Sequence, residues 1–392
     1  MTGGFNPPPY PYDRLDPLRA LADAHEGGAV DCSVGTPGDP PPTEVAEALA
    51  RSTRLAGYPP SLGTEAFRVA AADWLERRFG AGVDASSVAA CIGTKEFVAD
   101  LPHLLRLRSP DRDTVLYPEV SYPSYAMGAE LAGCRAVAVP MDAAWRIDLS
   151  AIDPGDAARA VCLWVNTPGN PAGGLDDLGA AAEWGRHHGV PVFSDECYIE
   201  FTWDHGDGRG PVAPEAGRVP GRSILMAGVD GVVAVHSLSK RSNLAGARVG
   251  FYAGDAELVR YLSEVRKHAG RMVPGPVQDA AVVALEDDAH VDVQRDRYWE
   301  RLARLATLLA PFGVAAAMPA GGFYLWAAAP DGDAWALAER LAGDLGLLVS
   351  PGEFYGDVAE GYVRVAAVQP DGRLDVLDKR LADSGGPRRV GS

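Results

Sequence analysis

Four side chains of this sequence could do chemistry together, because they follow apolar runs that predict neighbouring buried strands. Asn170 comes after the first run, Asp195 and Tyr198 come after the second, and Lys240 comes after the third. The carboxyl ends of parallel strands meet at one edge of a sheet, which is where such sheets bind ligands. We therefore expect an amide, a carboxylate, a phenol and an amine to face one pocket.

This combination suits pyridoxal phosphate, an aldehyde cofactor that is held by an amine. The cofactor supplies the electron sink for a carbanion at the α-carbon of an amino acid, and the protein supplies attachment, orientation and electrostatics. Lys240 would hold the aldehyde and move the proton, and Asp195 would keep the ring nitrogen protonated. Asn170 and Tyr198 would hydrogen-bond the ring oxygen. The predicted catalytic residues are Lys240, Asp195 and Tyr198.

The phosphate group of such a cofactor needs donors, and two further segments offer them. Gly93 and Thr94 open a predicted helix, whose first backbone N–H groups and dipole favour an anion. Arg248 follows Lys240 closely in the sequence, so its guanidinium could also bind the phosphate. With the serines beside the lysine, the predicted cofactor-binding set is Gly93, Thr94, Lys95, Asn170, Asp195, Tyr198, Ser237, Ser239, Lys240 and Arg248.

The elements that must position these residues alternate between strand and helix. Thr64 is predicted to cap a helix that ends near Phe79. Further on, apolar strands are predicted at 115–117, 136–139, 161–165 and 191–194, with helices at 97–107, 123–131 and 175–188 between them. Strands that are apolar throughout and separated by helices indicate a mainly parallel sheet that is covered on both faces.

The pattern of predicted elements at both ends of the chain differs from the alternating strands and helices of the middle part. An extended arm followed by a short helix is predicted for residues 1 to about 30, because Pro7, Pro8, Pro9 and Pro11 disfavour a helix interior. Such an arm is expected to lie on another part of the protein. From about residue 255, helices are predicted at 256–269, 276–285, 290–309 and 334–345, with short strands at 314–316, 323–326 and 363–366. The pattern indicates a smaller α+β unit.

Composition narrows the class of ligand and the compartment. The chain has 36 basic and 53 acidic residues, and its formal charge of −17 argues against nucleic acid or anionic membranes as partners. Its 5 cysteines are widely spaced and include no Cys-x-x-Cys pair, so neither a disulfide framework nor a metal site is indicated. The N-terminal residues have no basic n-region or apolar h-region, and no apolar run reaches membrane-spanning length, so we expect neither a secretory leader nor a membrane span. We expect a cytoplasmic protein that binds small molecules.

The motifs around these residues resemble those of a known family. Asn170-Pro-Ala-Gly, Asp195-Glu-Cys-Tyr198 and Ser237-x-Ser-Lys240 with Arg248 are similar to segments of the class I/II aminotransferases, which are pyridoxal-phosphate enzymes of fold type I. The resemblance runs from about residue 34 to residue 365. Ala172 departs from it, since the family more often has threonine there.

The resemblance implies an architecture and further site residues. The fold would be an α/β large domain with a mainly parallel seven-stranded sheet (41–275) and a small α+β domain (276–392), which residues 1–40 join as an N-terminal arm. By the same resemblance, Tyr122 would stack on the cofactor ring, and Tyr58 would reach the phosphate site of a neighbouring subunit in a homodimer. Arg364 would clamp the substrate α-carboxylate, while Gly35 and Asn170 would border the substrate.

Longer phrases narrow the resemblance within the family. Gly93-Thr-Lys-Glu, His236-Ser-Leu-Ser-Lys-Arg-Ser-Asn-Leu-Ala-Gly and Pro351-Gly-Glu-Phe-Tyr-Gly are similar to actinobacterial N-succinyldiaminopimelate aminotransferases. That implies amino transfer from glutamate, with 2-oxoglutarate as the keto acid, on the diaminopimelate route to lysine. Such substrates carry distal carboxylates, for which Lys95, Lys267 and Arg271 are the candidate partners.

Other functions stay open at this point. An aminotransferase for acylornithine, aromatic amino acids or aspartate would keep the same cofactor residues, as would a C–S lyase or a decarboxylase of the same fold. A cofactor-binding regulator with a DNA-binding helix-turn-helix segment is disfavoured, because the arm before residue 34 is short and the net charge is negative.

Overall fold

The structure is a computed structural model, and it describes residues 5–206 and 208–384. The strands, in chain order, are β1 Val30–Asp31, β2 Val88–Cys91, β3 Thr114–Pro118, β4 Arg135–Val139, β5 Ala160–Asn166, β6 Val192–Asp195, β7 Val232–Ser237, β8 Gly250–Gly254, β9 Tyr324–Ala328, β10 Leu347–Leu348, β11 Ser350–Pro351 and β12 Tyr362–Ala366. The helices are α1 Asp16–Asp23, α2 Thr43–Arg51, α3 Glu65–Phe79, α4 Thr94–Arg108, α5 Ser124–Leu131, α6 Pro154–Arg159, α7 Leu178–His188, α8 Leu238–Arg241, α9 Ala256–His268, α10 Gly275–Glu286, α11 Ala289–Leu309, α12 Ala334–Arg340 and α13 Asp371–Ser384.

A seven-stranded sheet forms the centre of the molecule, with strand order β2-β8-β7-β6-β5-β3-β4. Only β8 among these strands runs antiparallel to its neighbours, β2 and β7. Every residue of β5 is buried, as expected for a strand whose two faces are both covered by helices. The mainly parallel seven-stranded sheet is confirmed.

The register of the sheet brings the polar strand ends together. Asn166, the last residue of β5, lies opposite Asp195, the last residue of β6. Asp195 lies opposite Val235 of β7, so that strand ends two residues further on, at Ser237, where α8 begins. The loop after β5, the carboxylate of β6 and the helix after β7 therefore open on one edge of the sheet.

Local chemistry explains where the covering helices begin and end. The Thr64 side chain accepts a hydrogen bond from the backbone N–H of Phe67 at 3.2 Å, which is the geometry of an N-cap. The same helix ends at Gly80, whose φ of 65° is the left-handed conformation that glycine adopts at little cost. The predicted cap and end of α3 are confirmed.

A smaller unit is built from the end of the chain and the N-terminal arm. Its three-stranded sheet has the order β11-β12-β9 and is antiparallel, and β1 pairs with β10 beside it. Leu15 and Leu18 of the N-terminal segment pack in the same core as Phe323 and Leu341. The N-terminal segment is thus part of this unit, although all the strands of the seven-stranded sheet lie between it and the C-terminal segments in the sequence.

Two details of this unit differ from the sequence interpretation. The predicted strand at 314–316 is wrong. Buried Val314 and exposed Ala315 alternate as in a strand, but within the described residues this segment pairs with no strand. The predicted helix at 334–345 is α-helical only to Arg340, and its last turn, Leu341–Leu345, is a π-helix.

The helix that follows the predicted domain boundary at residue 275 packs with the large sheet. Ala280, Ala281, Ala284 and Leu285 of α10 belong to the same apolar core as residues of β5 and β7. The next helix, α11, contributes instead to the core of the smaller unit. The boundaries at residues 40 and 275 stay predictions.

The described part of the chain has no helix that is both long and apolar enough to cross a lipid bilayer. All the cysteines are free thiols, and Cys32, Cys91 and Cys162 are buried.

Candidate active site

A cavity of about 420 Å³ opens at the carboxyl ends of the strands, between the large sheet and the smaller unit. Its walls include every residue predicted to bind the cofactor or the substrate α-carboxylate except Gly93 and Tyr58, but of the candidates for distal carboxylates they include only Lys95. The predicted residues on its walls are Gly35, Thr94, Lys95, Tyr122, Asn170, Asp195, Tyr198, Ser237, Ser239, Lys240, Arg248 and Arg364.

Lys240 lies on α8, a single helical turn that begins directly after β7. The hydroxyl of Ser237 accepts a hydrogen bond from the N–H of Ser239 at 3.1 Å and so fixes the start of this turn. The Lys240 Nζ donates a hydrogen bond to the carbonyl of Gly35. Burial, assisted by the positive charges of Arg364 and Arg248, lowers the pKa of Lys240 from 10.5 to about 8. Part of the population therefore carries a neutral amine near neutral pH.

Asp195 is held by two donors. Its Oδ2 accepts a hydrogen bond from the Tyr125 hydroxyl at 2.8 Å, and its Oδ1 accepts one from the Cys197 N–H at 3.2 Å. Burial raises the pKa of Asp195, although these hydrogen bonds and the charge of Lys240 oppose the shift. A cationic group placed beside the carboxylate would stabilise its charged form. The sequence interpretation missed Tyr125, whose one signal is its position three residues after Tyr122.

An anion cradle lies between the start of α4 and the segment after α8. Thr94 is the first residue of α4, where backbone N–H groups have no helical partner. Gly93 precedes it with a φ of 72°, and a Cβ at this glycine would lie 2.8 Å from Cζ of Arg248. The missing side chain therefore lets the guanidinium approach the helix start. With Ser237 and Ser239, these groups offer the donors that a phosphate needs.

Asn170 and Tyr198 face the cavity with part of their hydrogen-bonding capacity in use. The Oδ1 of Asn170 accepts from Arg364 at 2.8 Å, and the hydroxyl of Tyr198 lies 2.8 Å from that of Tyr324. Asn166 fixes the loop, because its Oδ1 accepts from the Asn170 N–H and its Nδ2 donates to the Asp195 carbonyl. The loop and the carboxylate strand are thus joined by one side chain.

Arg364 is 1% exposed, yet no carboxylate pairs with it anywhere in residues 5–206 and 208–384. Its donors reach Asn170 Oδ1, the Ser33 carbonyl at 2.5 Å and the Tyr12 hydroxyl at 3.3 Å. Its guanidinium lies 4.3 Å from the ring centre of Tyr324. A buried cation that has no counter-ion and faces a cavity favours an anionic ligand.

The N-terminal arm forms a wall of the cavity that the sequence interpretation did not assign. Tyr10 and Tyr12 both line it. The ammonium of Lys95 lies 5.0 Å from the ring centre of Tyr10 and 5.5 Å from that of Tyr122. The sequence feature that could have indicated this wall is the pair of tyrosines among the prolines of the predicted arm. Their contact partners could not be inferred, because those residues are distant in sequence.

Three other predicted residues lie outside the cavity. Tyr58 is 96% exposed and lines a separate surface depression with Arg54 and Gly275. Lys267 pairs with Glu264 at 3.7 Å, and Arg271 with Asp100 at 2.6 Å and Glu96 at 3.6 Å. Of the three candidates for distal carboxylates, only Lys95 lies on the cavity wall.

Comparison with known proteins gives consistent results. The family model of aminotransferase class I and II matches residues 29–381. The Streptomyces rimosus protein OxyQ, a 4-dedimethylamino-4-oxo-anhydrotetracycline transaminase, is 44% identical over 377 residues, which are 95% of this chain and 99% of that protein. A probable aminotransferase of Mycobacterium tuberculosis is 43% identical over 95% of this chain and 85% of its own length.

Solved structures show the same similarity. The structure of a probable N-succinyldiaminopimelate aminotransferase from Thermus thermophilus superposes with a TM-score of 0.79. It is 30% identical in sequence, and the superposition covers 95% of this chain and 99% of that one.

Proposed function

The chain belongs to the class I and II aminotransferase family and is a pyridoxal-phosphate-dependent transaminase, and we propose that it transfers the amino group of glutamate to N-succinyl-2-amino-6-oxopimelate, which gives N-succinyl-L,L-diaminopimelate and 2-oxoglutarate. It would work by a ping-pong cycle on the diaminopimelate route to lysine. The observation that carries this proposal is the placement of Lys240, Asp195, Arg364 and Lys95 around one cavity. Three of these would serve the common chemistry, and the fourth would select the substrate.

The residues of the cavity fit pyridoxal phosphate, the cofactor of this family. The cradle of Thr94, Ser237, Ser239 and Arg248 would bind its phosphate, and Tyr122 would lie against its ring. Among the described residues, no cation lies at hydrogen-bond distance from buried Asp195, and a protonated ring nitrogen would provide one. When bound, the cofactor supplies the electron sink that makes the substrate Cα–H acidic.

The chain itself would supply attachment and proton transfer. Lys240 would bind the cofactor aldehyde and, once substrate displaces it, accept the proton from Cα and return it at the other end of the conjugated system. That role needs a neutral amine, and the lowered pKa of about 8 increases the neutral fraction near neutral pH. Tyr198 and Asn170 would donate hydrogen bonds to the ring oxygen and hold the ring in place.

Arg364 would bind the substrate α-carboxylate. Its planar guanidinium matches a carboxylate with two parallel hydrogen bonds, and Asn170 already fixes one of its edges at 2.8 Å. Gly35 would border the bound substrate, because it lines the cavity and its carbonyl accepts from Lys240. A Cβ at this position would collide with Tyr324. The α-carbon would thereby be held beside Lys240.

Lys95 would bind the distal carboxylate of the succinylated substrate. The two other candidates, Lys267 and Arg271, are paired with carboxylates outside the cavity. Lys95→Ala is expected to lower kcat/KM about tenfold for substrates with a distal carboxylate. Lys267→Ala is the matched control and should leave all substrates unchanged.

We further propose a cytoplasmic homodimer in which Tyr58 reaches the phosphate site of the partner subunit. Tyr58 and Leu55 are 96% and 81% exposed on one turn-rich loop, which supports an interface between two copies of the chain. Sedimentation velocity of the holoenzyme and of Tyr58→Phe should show dimers in both cases. Weaker cofactor binding by the variant would support the shared site.

The test of the reaction is a pair of half-reactions. Glutamate should bleach the visible absorbance of the bound cofactor, and 2-oxoglutarate should restore it. A C–S lyase or decarboxylase would keep Lys240 and Asp195 but would not show this reversible cycle. Single-turnover rates with a panel of keto acids, including the succinylated one, then identify the substrate.

The 44% identity to OxyQ favours a second candidate, amino transfer to the ketone of a fused-ring compound. The panel should therefore include such a ketone. Turnover of that ketone without turnover of the succinylated keto acid would replace the first proposal.

A further inference from the structure

We propose that Tyr10 of the N-terminal arm is a specificity-determining residue, which orients Lys95 to bind a second anionic group at the far end of the amino substrate. This inference rests on the proposed function, because it takes Lys95 as the group that contacts the distal anion. It adds that the arm, and not Lys95 alone, decides which substrates are bound.

The first observation is the environment of the Lys95 ammonium. Its Nζ lies 3.4 Å from the Tyr10 hydroxyl oxygen, 5.0 Å from the centre of that ring and 5.5 Å from the centre of the Tyr122 ring. The Tyr10 hydroxyl accepts a hydrogen bond from one of the three N–H donors of the ammonium. The two rings attract the positive charge without using a further donor. The two tyrosines therefore hold the ammonium in place and leave donors for a ligand.

The second observation is that Lys95 differs from the neighbouring cations. Arg266 pairs with both carboxylate oxygens of Glu96, and Arg271 pairs with Asp100. Within residues 5–206 and 208–384, no carboxylate lies within ion-pair distance of Lys95. Lys95 is thus, like Arg364, a cavity cation without a carboxylate partner in the described residues. In an acidic protein such a cation provides a local site for an anion that the overall charge repels.

The third observation is the anchorage of the arm. The guanidinium of Arg14 pairs with Glu353 at 2.6 Å and lies over the ring of Trp335 at 4.9 Å. Leu15 is buried in the core of the smaller unit. The arm is thus fixed at its base to the unit that carries Arg364, and from there it extends to Lys95 at the start of α4.

These anchors place two phenols beside two cations. The Tyr12 hydroxyl lies 3.3 Å from Arg364 Nη2, and the Tyr10 hydroxyl lies 3.4 Å from Lys95 Nζ. Pro11 separates the tyrosines, and its ring restricts the backbone between them. The arm therefore spans the distance from the α-carboxylate site to the distal site, and it favours amino acids that carry a second anion over those that do not.

The experiment compares glutamate with norvaline, an amino acid of the same chain length without the distal carboxylate, in the first half-reaction of the holoenzyme. Tyr10→Ala is expected to lower kcat/KM for glutamate about fivefold, mainly through KM, and to change norvaline less than twofold. Tyr10→Phe keeps the ring and should fall between the parent and Tyr10→Ala. Phe5→Ala, a change on the same exposed arm but off the cavity wall, is the control.

The double variant Tyr10→Ala/Lys95→Ala shows whether the two residues act as one unit. It should be no worse on glutamate than Lys95→Ala, since Tyr10 acts through the ammonium. Equal losses on both amino acids, or additive losses in the double variant, would overturn the inference while leaving Lys95 as the distal partner. No loss with Lys95→Ala alone would instead overturn the proposed substrate class, and the inference with it.

Discussion

The two ends of the cavity are built from different kinds of sequence. The cofactor end contains Thr94, Asp195, Ser237, Lys240 and Arg248, which follow strands of one sheet or the turns directly beside them. The substrate end contains Tyr10, Tyr12, Gly35, Lys95 and Arg364, which come from the arm, from the smaller unit and from the start of α4. Tyr12 and Arg364 touch although 352 positions separate them in the chain.

We expect the cofactor end to determine the chemistry of the reaction and the substrate end to determine which substrates bind. Backbone pairing fixes the cofactor end, because Asn166, Asp195 and Val235 lie opposite one another in adjacent parallel strands of the sheet. The substrate end depends on how the arm and the smaller unit pack over that sheet. Changes at the cofactor end should therefore reduce turnover of every substrate, and changes at the substrate end should act mainly on KM and on some substrates only.

The largest expected effect is that of Lys240→Ala. Loss of the amine that is proposed to attach the cofactor and move the proton should lower transamination by about 10⁴-fold or more and remove the visible cofactor band. Lys267→Ala, on the exposed surface, is the matched control. A variant at Lys240 that kept both the band and the activity would place the chemistry elsewhere.

Asp195→Ala should follow, with a loss of about 10³-fold in kcat for all amino donors. The carboxylate would no longer stabilise a protonated ring nitrogen, while the phosphate cradle around Arg248 would still bind the cofactor. Equilibrium dialysis with pyridoxal phosphate measures the binding, and stopped-flow absorbance measures the rate. Near-normal turnover would exclude Asp195 from this role.

Arg364→Lys should have a smaller and different effect. It keeps the positive charge but loses the planar pair of donors, so KM for α-amino acids should rise about 10²-fold while kcat falls less. Steady-state kinetics with glutamate and norvaline measure this, and both should be affected equally, unlike in the Tyr10 variants. A purely kcat-based loss would mean that Arg364 acts at the cofactor end.

The smallest effect concerns pH. The amine of Lys240 accepts a proton only when neutral, and its pKa lies at about 8 instead of 10.5. The single-turnover rate with saturating glutamate should thus rise about tenfold per pH unit below this value and become constant above it. A rate that continued to rise to about pH 10 would show that burial does not lower the pKa of this lysine.

Much of the cofactor end could be predicted because its determinants are local. Apolar runs predicted the strands, and the polar residues directly after them had to share one edge of the sheet. The Thr64 cap of α3 was predicted on the same local grounds and is confirmed. The alternating pattern at Val314 predicted a strand, but no strand pairs with this segment in the described residues, so that prediction is wrong.

The substrate end could be predicted only in part. Arg364 and Gly35 were predicted through family resemblance, since nothing in their local sequence indicates a pocket. Tyr125 was missed because its hydrogen bond to Asp195 spans 70 positions. Lys267 and Arg271 had the right charge for a distal site, but the fold pairs them with carboxylates away from the cavity.

The sequence by itself determined the fold class and the strand ends that carry Asn170, Asp195 and Lys240, and it led to the chemistry that we propose for these groups, because each depends on short-range patterns of apolar and polar residues. Only the tertiary structure decided that Lys95 and Arg364 face the cavity without a carboxylate partner among the described residues, and that Tyr10 and Tyr12 of the arm lie beside them. Those outcomes depend on contacts between distant segments, whose distances and partners no local pattern encodes.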